Sequence, residues 1–522
     1  MNAERLLAHY ARIADAPDAI AQLRRFILAL AVRGKLLPQD LTDELNSELL
    51  NLIAREKLIQ SGVPNRWSQA KIGTLLNFQY GKGLNSSERA GEGPVPVYGS
   101  NGIVGFTEKP LTTLPSIIVG RKGSAGAMNL CDGPSWTTDV AYFVEAPTFF
   151  NIRFLLNALT ALGLDKLGKG VKPGLSRSDA YEQILCVPPL AEQYRIVAKV
   201  DELMALCDRL EAARAEREAT RDRLAASSLA RLNTPDPATF QADASFALNT
   251  LPALTTRPDQ IKLLRQTILN LAVRGKLVPQ NPRDKANRLP PIRKFSAASG
   301  MDDEVFEQSR DSIVLPNGWH IAPLAQLSEN IVDCPHTTPK WTNKGEICIR
   351  TNQLRPRSLD LSEPRFVSPE TYRDRIERLE PRAGDILYSR EGGILGIACK
   401  IPKDVRLCLG QRLMLIRAGS ETSVSYLEIV LNSAFITDIA KARTTGGAAP
   451  RVNMSTVRAY PIPLPPLAEQ HRIVAKVDAL MAICDQLEAS LDHTATTRRH
   501  LLAALLAEAL SPIQSRELEA AE

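Results

Sequence analysis

The stretch PPLAEQYRIVAKVDELMALCDRLEA, Pro188 to Ala212, recurs as PPLAEQHRIVAKVDALMAICDQLEA at Pro465 to Ala489. Only Tyr194/His471, Glu202/Ala479, Leu206/Ile483 and Arg209/Gln486 differ, leaving 21 identities in 25 positions. A second pair, LAVRGKLLPQ at Leu30 and LAVRGKLVPQ at Leu271, lies 241 residues apart, and a third joins PNRW at Pro64 to PNGW at Pro316. The order is the same in both halves: helical block, Pro-Asn-x-Trp, variable region, PPLAEQ block. The chain is a tandem duplication.

The repeated blocks carry helical periodicity. Ile196, Val200, Leu203, Cys207 and Leu210 step by four and three, as do Ile473, Val477, Leu480, Cys484 and Leu487. That spacing predicts a coiled-coil seam suited to a partner helix. The first copy is expected to stay helical to Leu232, a rod of about 44 residues and roughly 65 Å. Glu192, Gln193 and Arg195 are read as exposed, and their repetition as more than core packing. The earlier block opens at Pro17-Asp18 and Pro258-Asp259, carries an apolar stripe from Ile20 and Ile261, and stops at Gly34 and Gly275. Asn233 to Arg257 and Asn281 to Ser312 read as linkers.

The variable regions have another texture. Runs such as PVPVYGSNGIVGF, PSIIVG and VAYFV, then GEICI, GDILYS and LCLGQRLMLIRAG, alternate with glycine-rich turns and read as strands. A helical stretch follows in each, near Ile152 to Leu162 and Ser425 to Lys441, giving an α+β unit. Sparse landmarks recur: Arg121 and Gly123 with Arg390 and Gly392, then Gly170/Gly447, Pro173/Pro450 and Ser178/Ser455. The division is therefore a helical block at 1–63, an α+β module at 64–187, a central helical region at 188–315, a second module at 316–464 and a helical region at 465–522. The expected fold is two α+β modules separated by long antiparallel coiled-coil helices with internal pseudo-twofold symmetry.

The chain has 64 Lys+Arg against 58 Asp+Glu, a net charge of +6. Region 64–187 holds 12 basic and 9 acidic residues, and region 316–464 holds 20 and 15, so the basic excess sits in the modules. It concentrates in turns: Lys82, Arg121, Lys122, Lys169, Lys172 and Arg177 in the first; His336, Lys340, Arg350, Arg355, Arg357, Arg390, Gln411, Arg412, Arg443 and Arg451 in the second. Such loops suit phosphate and base-edge contact with duplex DNA, and an internal dyad can match two unlike half-sites.

Catalytic readings find no support. No Asn-Pro-Pro-aromatic or Asp-Pro-Pro-aromatic methyltransferase motif is present, and GRKGSAG lacks the Gly-Lys-Ser/Thr ending of a phosphate loop. His336 stands two residues from Cys334 without companions at metal or nucleophile spacing and reads as a polar loop histidine. The 8 cysteines show no Cys-x-x-Cys pair, implying reduced thiols without disulfide or metal. A charged N-terminus and the lack of a long apolar run lead to the expectation of a soluble, cytoplasmic protein.

The PPLAEQ-x-RIVAKVD-x-LMA and LAVRGKL blocks, with VYGSNGIVG, GRKGSAG and PHTTP at Pro335, resemble the specificity subunit of type I restriction-modification enzymes over nearly the whole chain. The resemblance implies a non-catalytic subunit that reads a bipartite sequence in double-stranded DNA through two target recognition domains. It also implies helices that act as a ruler and dock two methyltransferase subunits. S-adenosylmethionine, ATP and Mg would belong to those partners and to restriction subunits joining them. The alternative is a coiled-coil scaffold whose modules bind protein.

Overall fold

The computed structural model describes residues 13, 15–44, 46–54, 64, 66–169, 174–233, 236, 238–285, 287, 289, 300–445 and 450–510. Gly170, Lys172, Pro173 and Gly447, singled out above, lie outside the described residues. The chain forms two compact units, one of Met1–Glu218 with Thr494–Glu522 and one of Ala219–His493. No helix among the described residues is long and apolar enough to cross a membrane.

In the first unit, helix α1 (Ala19–Val32) precedes a sheet of β1 (Gln79–Tyr80), β2 (Ser116–Gly120), β3 (Met128–Cys131) and β4 (Ala141–Glu145), then α2 (Ile152–Leu162) and the start of α3 (Leu190–Asn233). In the second, α4 (Phe240–Leu254) and α5 (Pro258–Val273) precede β5 (Ser328–Asp333), β6 (Ile386–Ser389), β7 (Ala398–Lys400) and β8 (Leu413–Ala418), followed by α6 (Val424–Asn432) and α7 (Leu467–Leu510). The strand orders are β1-β4-β2-β3 and β5-β8-β6-β7, the same topology in both. Each module adds a second sheet, of three strands in the first and four in the second, containing one parallel pairing, Val97 to Trp136 in the first and Ile347 to Leu407 in the second.

Each long helix is launched by a short strand. Ile184–Val187 pairs antiparallel with Ser68–Lys71, and Pro461–Leu464 pairs with His320–Pro323. Two prolines follow each strand, Pro188-Pro189 and Pro465-Pro466, and α3 or α7 begins directly after them, where a missing N–H costs no intrahelical bond. Both helices run 44 residues, the length expected of the first.

The seam is satisfied inside its own unit. Ile196, Val200 and Cys207 are buried with Ile27 and Ala31 of α1 and with Trp67, Ile117 and Phe154 of the module, and Leu203 packs against them. Ile473, Val477 and Cys484 are likewise buried among Ile261, Ile268, Trp319 and Tyr426, with Leu480 and Leu487 against them. The four-three stripe thus faces α1 or α5 and the module core, while Leu210 stays 37% exposed.

The ends of the long helices have their own partners. Leu502, Leu506 and Ala509 of α7 are buried with Ile13, Ala16, Ala19 and Phe26 in the first unit. Leu229 and Leu232 of α3 are buried with Ala247 of α4 in the second. Here two expected linkers prove to be ordered helix in part: α4 lies within 233–257, and Asp303–Arg310, with Asp302 accepting from the Val305 amide, lies within 281–312. Thr, Pro and Ala content concealed an apolar face that buries Ala247. The expected helix from Ser425 to Lys441 is two helices, broken at the extended Ser433.

Glu192 and Gln193 are buried, not exposed. The Trp67 Nε1–H donates to Glu192 at 3.1 Å, and Trp319 donates to Glu469 at 3.2 Å. The Gln193 amide donates to Phe149 O and Pro188 O and accepts from Asn151 N, the cap of α2. Gln470 repeats this with Glu421 O, Pro465 O and Ser423 N at the start of α6. Arg195 pairs with Asp43, and Arg472 with Asp284 at 2.6 Å. Gly34 and Gly275 both have φ 64, and a Cβ on either would lie 2.3 Å from a Pro64 or Pro316 ring carbon. The repeated motifs are one lock made twice.

Burial pushes the Glu192 and Glu469 carboxyls above their ordinary value, against the opposing pull of the tryptophan hydrogen bonds. For an acid raised on folding, the stability contribution is full at low pH and lost as pH rises through the raised value. Glu192→Gln keeps an acceptor and removes the charge, so its stability relative to wild type should improve from about pH 4 towards pH 7. Glu192→Ala leaves the Trp67 donor unpaired and should cost about 1–3 kcal/mol throughout. Denaturant unfolding across this range checks both.

Candidate nucleic-acid interface

In the first module the basic turn residues converge where β2 ends. Gly120 admits no side chain, because a Cβ would lie 2.1 Å from Ser124 O, and Gly123 and Gly126 turn the loop with φ 83 and 76. Arg121 and Lys122 therefore emerge together, their amides held by Val140 O. Lys122 and Lys169 both form backbone bridges to Gly174, and Leu175 N donates to Arg121 O, which brings the second basic loop alongside. Lys82, Lys122 and Lys169 are exposed, Lys169 with Asp179 2.8 Å away.

At the centre is a residue that sequence reasoning missed. Tyr80, 47% exposed, has the Arg121 and Arg177 guanidinium carbons each 5.0 Å from its ring centroid. Its ring meets Tyr142 edge-on at 5.1 Å. Tyr142 donates to Leu175 O, and burial raises its phenol above the ordinary value. The available signal was Tyr-Gly-Lys-Gly, an aromatic closing a strand before a basic turn.

The second module builds the corresponding place differently. Arg390 is buried, its Nε 3.0 Å and Nη2 2.5 Å from the Asp333 carboxylate, with Nη1 donating to Val452 O. It is a strut between β5 and the loop at Val452, which corrects its expected place on a DNA-contacting surface. Arg357 is corrected likewise: it sits in a tight turn at φ 65, paired with Asp478 of α7 and 3.7 Å from the buried Glu428.

The exposed set near Arg390 is smaller. His336 lies 3.1 Å from Asp333, and the Gln411 amide donates to His336 O and Thr338 Oγ1, pinning the PHTTP loop. Arg412 is exposed at φ 71 beside Gly392, and Arg451 is exposed and bridged to Glu391 and Thr445. Arg443 donates to Gln308. Lys340 is exposed next to Trp341, while Arg350 lines a polar cleft of about 340 Å³ with Arg355, Asp360 and Arg365. Cys334 is buried, which raises its thiol pKa and holds it protonated, unlike a nucleophile.

Two α+β modules, each held on a helical frame, each present basic loops around a glycine-braced turn. The chain belongs to the family of the type I restriction modification DNA specificity domain, which matches residues 64–218 and 364–495. It is 25% identical to the EcoEI specificity subunit of Escherichia coli and 25% identical to the EcoAI specificity subunit of the same organism, with 94% of both chains covered in each case. Among solved structures it is similar to a chain from a type I R-M system studied for complex assembly and conformational transition, at 18% identity and TM-score 0.47, covering 86% of this chain and 98% of that one. The HsdS subunit from Thermoanaerobacter tengcongensis is similar at 17% identity and TM-score 0.39, with 86% and 97% covered.

Arg390→Ala should behave as a stability variant, since removing one partner of a buried ion pair costs about 3–5 kcal/mol. Arg412→Ala should leave unfolding unchanged and weaken DNA binding. Thermal unfolding beside binding titrations distinguishes them, and a DNA defect in Arg390→Ala at unchanged stability would contradict the strut.

Proposed function

We propose that the chain reads a bipartite, asymmetric DNA target, one half with the module at 64–187 and the other with the module at 316–464. Its helical regions at 1–63, 188–315 and 465–522 dock two methyltransferase subunits, and restriction subunits join through them. S-adenosylmethionine, ATP and Mg are supplied by those partners.

The observation that carries this reading is a frame repeated contact for contact beneath module surfaces that differ at equivalent positions. Arg24 meets Asp208 and Glu211, and Arg265 meets Asp485 and Glu488, the same clamp on α3 and α7. One kind of partner is thereby offered two equivalent sites, and two DNA sequences one module each. Because the seam from Ile196 to Cys207 is buried, docking falls to the outer helix face, where Tyr194 is 60%, Leu206 43% and Ile483 57% exposed. Titration with the methyltransferase should saturate at two per chain, and Leu206→Asp or Ile483→Asp should each reduce it to one. Saturation at one by the unaltered chain would refute the proposal.

Helix α3 begins in the first unit and ends in the second, and α7 begins in the second and ends in the first; in this reading the two helices are the ruler between half-sites. Seven residues inserted in each, after Glu218 and after His493, preserve the heptad and add roughly 10 Å of helix. At ~3.4 Å per base pair, the preferred spacer should lengthen by up to about three pairs with both half-sequences unchanged. Selection from a DNA library with variable spacer measures this. An unchanged spacer in a folded, binding variant would refute the ruler.

A further inference from the structure

The two modules keep an arginine at one position and surround it with opposite chemistry. In the first sheet Gly120 pairs with Ala141 and Tyr80 with Tyr142. In the second, Ser389 pairs with Leu413 and Asp333 with Met414. Counting along these registers, Arg121 is the counterpart of Arg390 and Tyr80 is the counterpart of Asp333. Where the second module has a carboxylate that captures and buries its arginine, the first has a half-exposed phenol ring.

The consequences for the two guanidinium groups are opposite. Arg390 has its donors directed at Asp333 and Val452 O. Arg121 donates from Nη1 to the backbone Asp139 O at 3.0 Å, and Arg177 from Nη1 to Phe78 O at 3.5 Å. Among the described residues neither meets a carboxylate. A ring between two guanidiniums is attracted to both through its quadrupole, which fixes the aromatic face and the cation geometry without neutralising the charge. The group is pre-organised and cationic, with Tyr80 exposed and both arginines half-buried.

We propose that Tyr80 is a specificity-determining residue of the first module, acting with Arg121 and Arg177 on base edges in the major groove. This rests on the reading that the modules contact DNA. The arginines are suited to the O6 and N7 acceptors of guanine and the phenol ring to the C5 edge or methyl of a neighbouring pyrimidine. The second module recognises its half by other residues, because Asp333 has withdrawn Arg390.

The test uses the complex of the full chain with its methyltransferase partner and a library randomised in both half-sites, selected at two salt concentrations. Tyr80→Ala should relax one or two adjacent positions of one half-site, with discrimination there falling on the order of 10- to 100-fold. The other half-site and the salt dependence should stay as in the unaltered complex. Tyr80→Asp, which gives Arg121 the carboxylate that Arg390 has, should relax the same positions and provides the test if the alanine variant fails to fold. Unchanged selectivity in a folded variant would overturn the proposal. So would an equal loss for every sequence with a changed salt slope, which marks a backbone contact. A complex of unaltered chain that selects no sequence would overturn the DNA reading itself.

Discussion

A tryptophan N–H donating to a buried glutamate, made once in each half, is the contact on which the rest of the structure depends. Trp67 and Glu192 join the start of a module to the long helix that follows its last strand, and Trp319 and Glu469 do the same in the second half. In a site this buried, an unmade hydrogen bond leaves a desolvated polar group without a partner, which costs more than the bond itself contributes. The neighbouring glutamine then fixes the module's own helix cap, and the arginine–aspartate pair fixes the loop behind it. Each module is attached at its two ends to the same few side chains, so the sequence between them is free to vary.

Much of this architecture was legible from residue spacing. The duplication, the two helices, the α+β texture of the modules and the stop glycines follow from periodicity and from chemistry that acts locally along the chain. Burial of Glu192 and Gln193 was not legible, because a charged residue in a helix looks the same whether it faces water or a tryptophan that lies 125 positions earlier. The same limit concealed the two helices within apparent linkers, whose apolar faces are defined only by what packs on them.

The candidate interface divides in the same way. In the first module the basic residues of glycine turns share one place, where Lys82, Arg121, Lys122, Lys169 and Arg177 come together. Arg390 could not be separated from Arg121 by sequence, since both occupy Arg-x-Gly after an apolar strand. The deciding residues, Asp333 and Tyr80, belong to another strand and reach the arginine only through sheet register. A one-dimensional pattern shows that a charge exists; its pairing is settled in three dimensions.

The repeated lock also has an evolutionary consequence. The coding segments for PPLAEQ-x-RIVAKVD and LAVRGKL specify nearly the same peptide in both halves, so they supply matching ends on either side of a module. Recombination between such ends inherits a module whole, with its attachment residues already correct, and leaves the frame unaltered. New specificity can then arise by exchange in one step, rather than by gradual substitution through intermediates that recognise neither the old sequence nor the new.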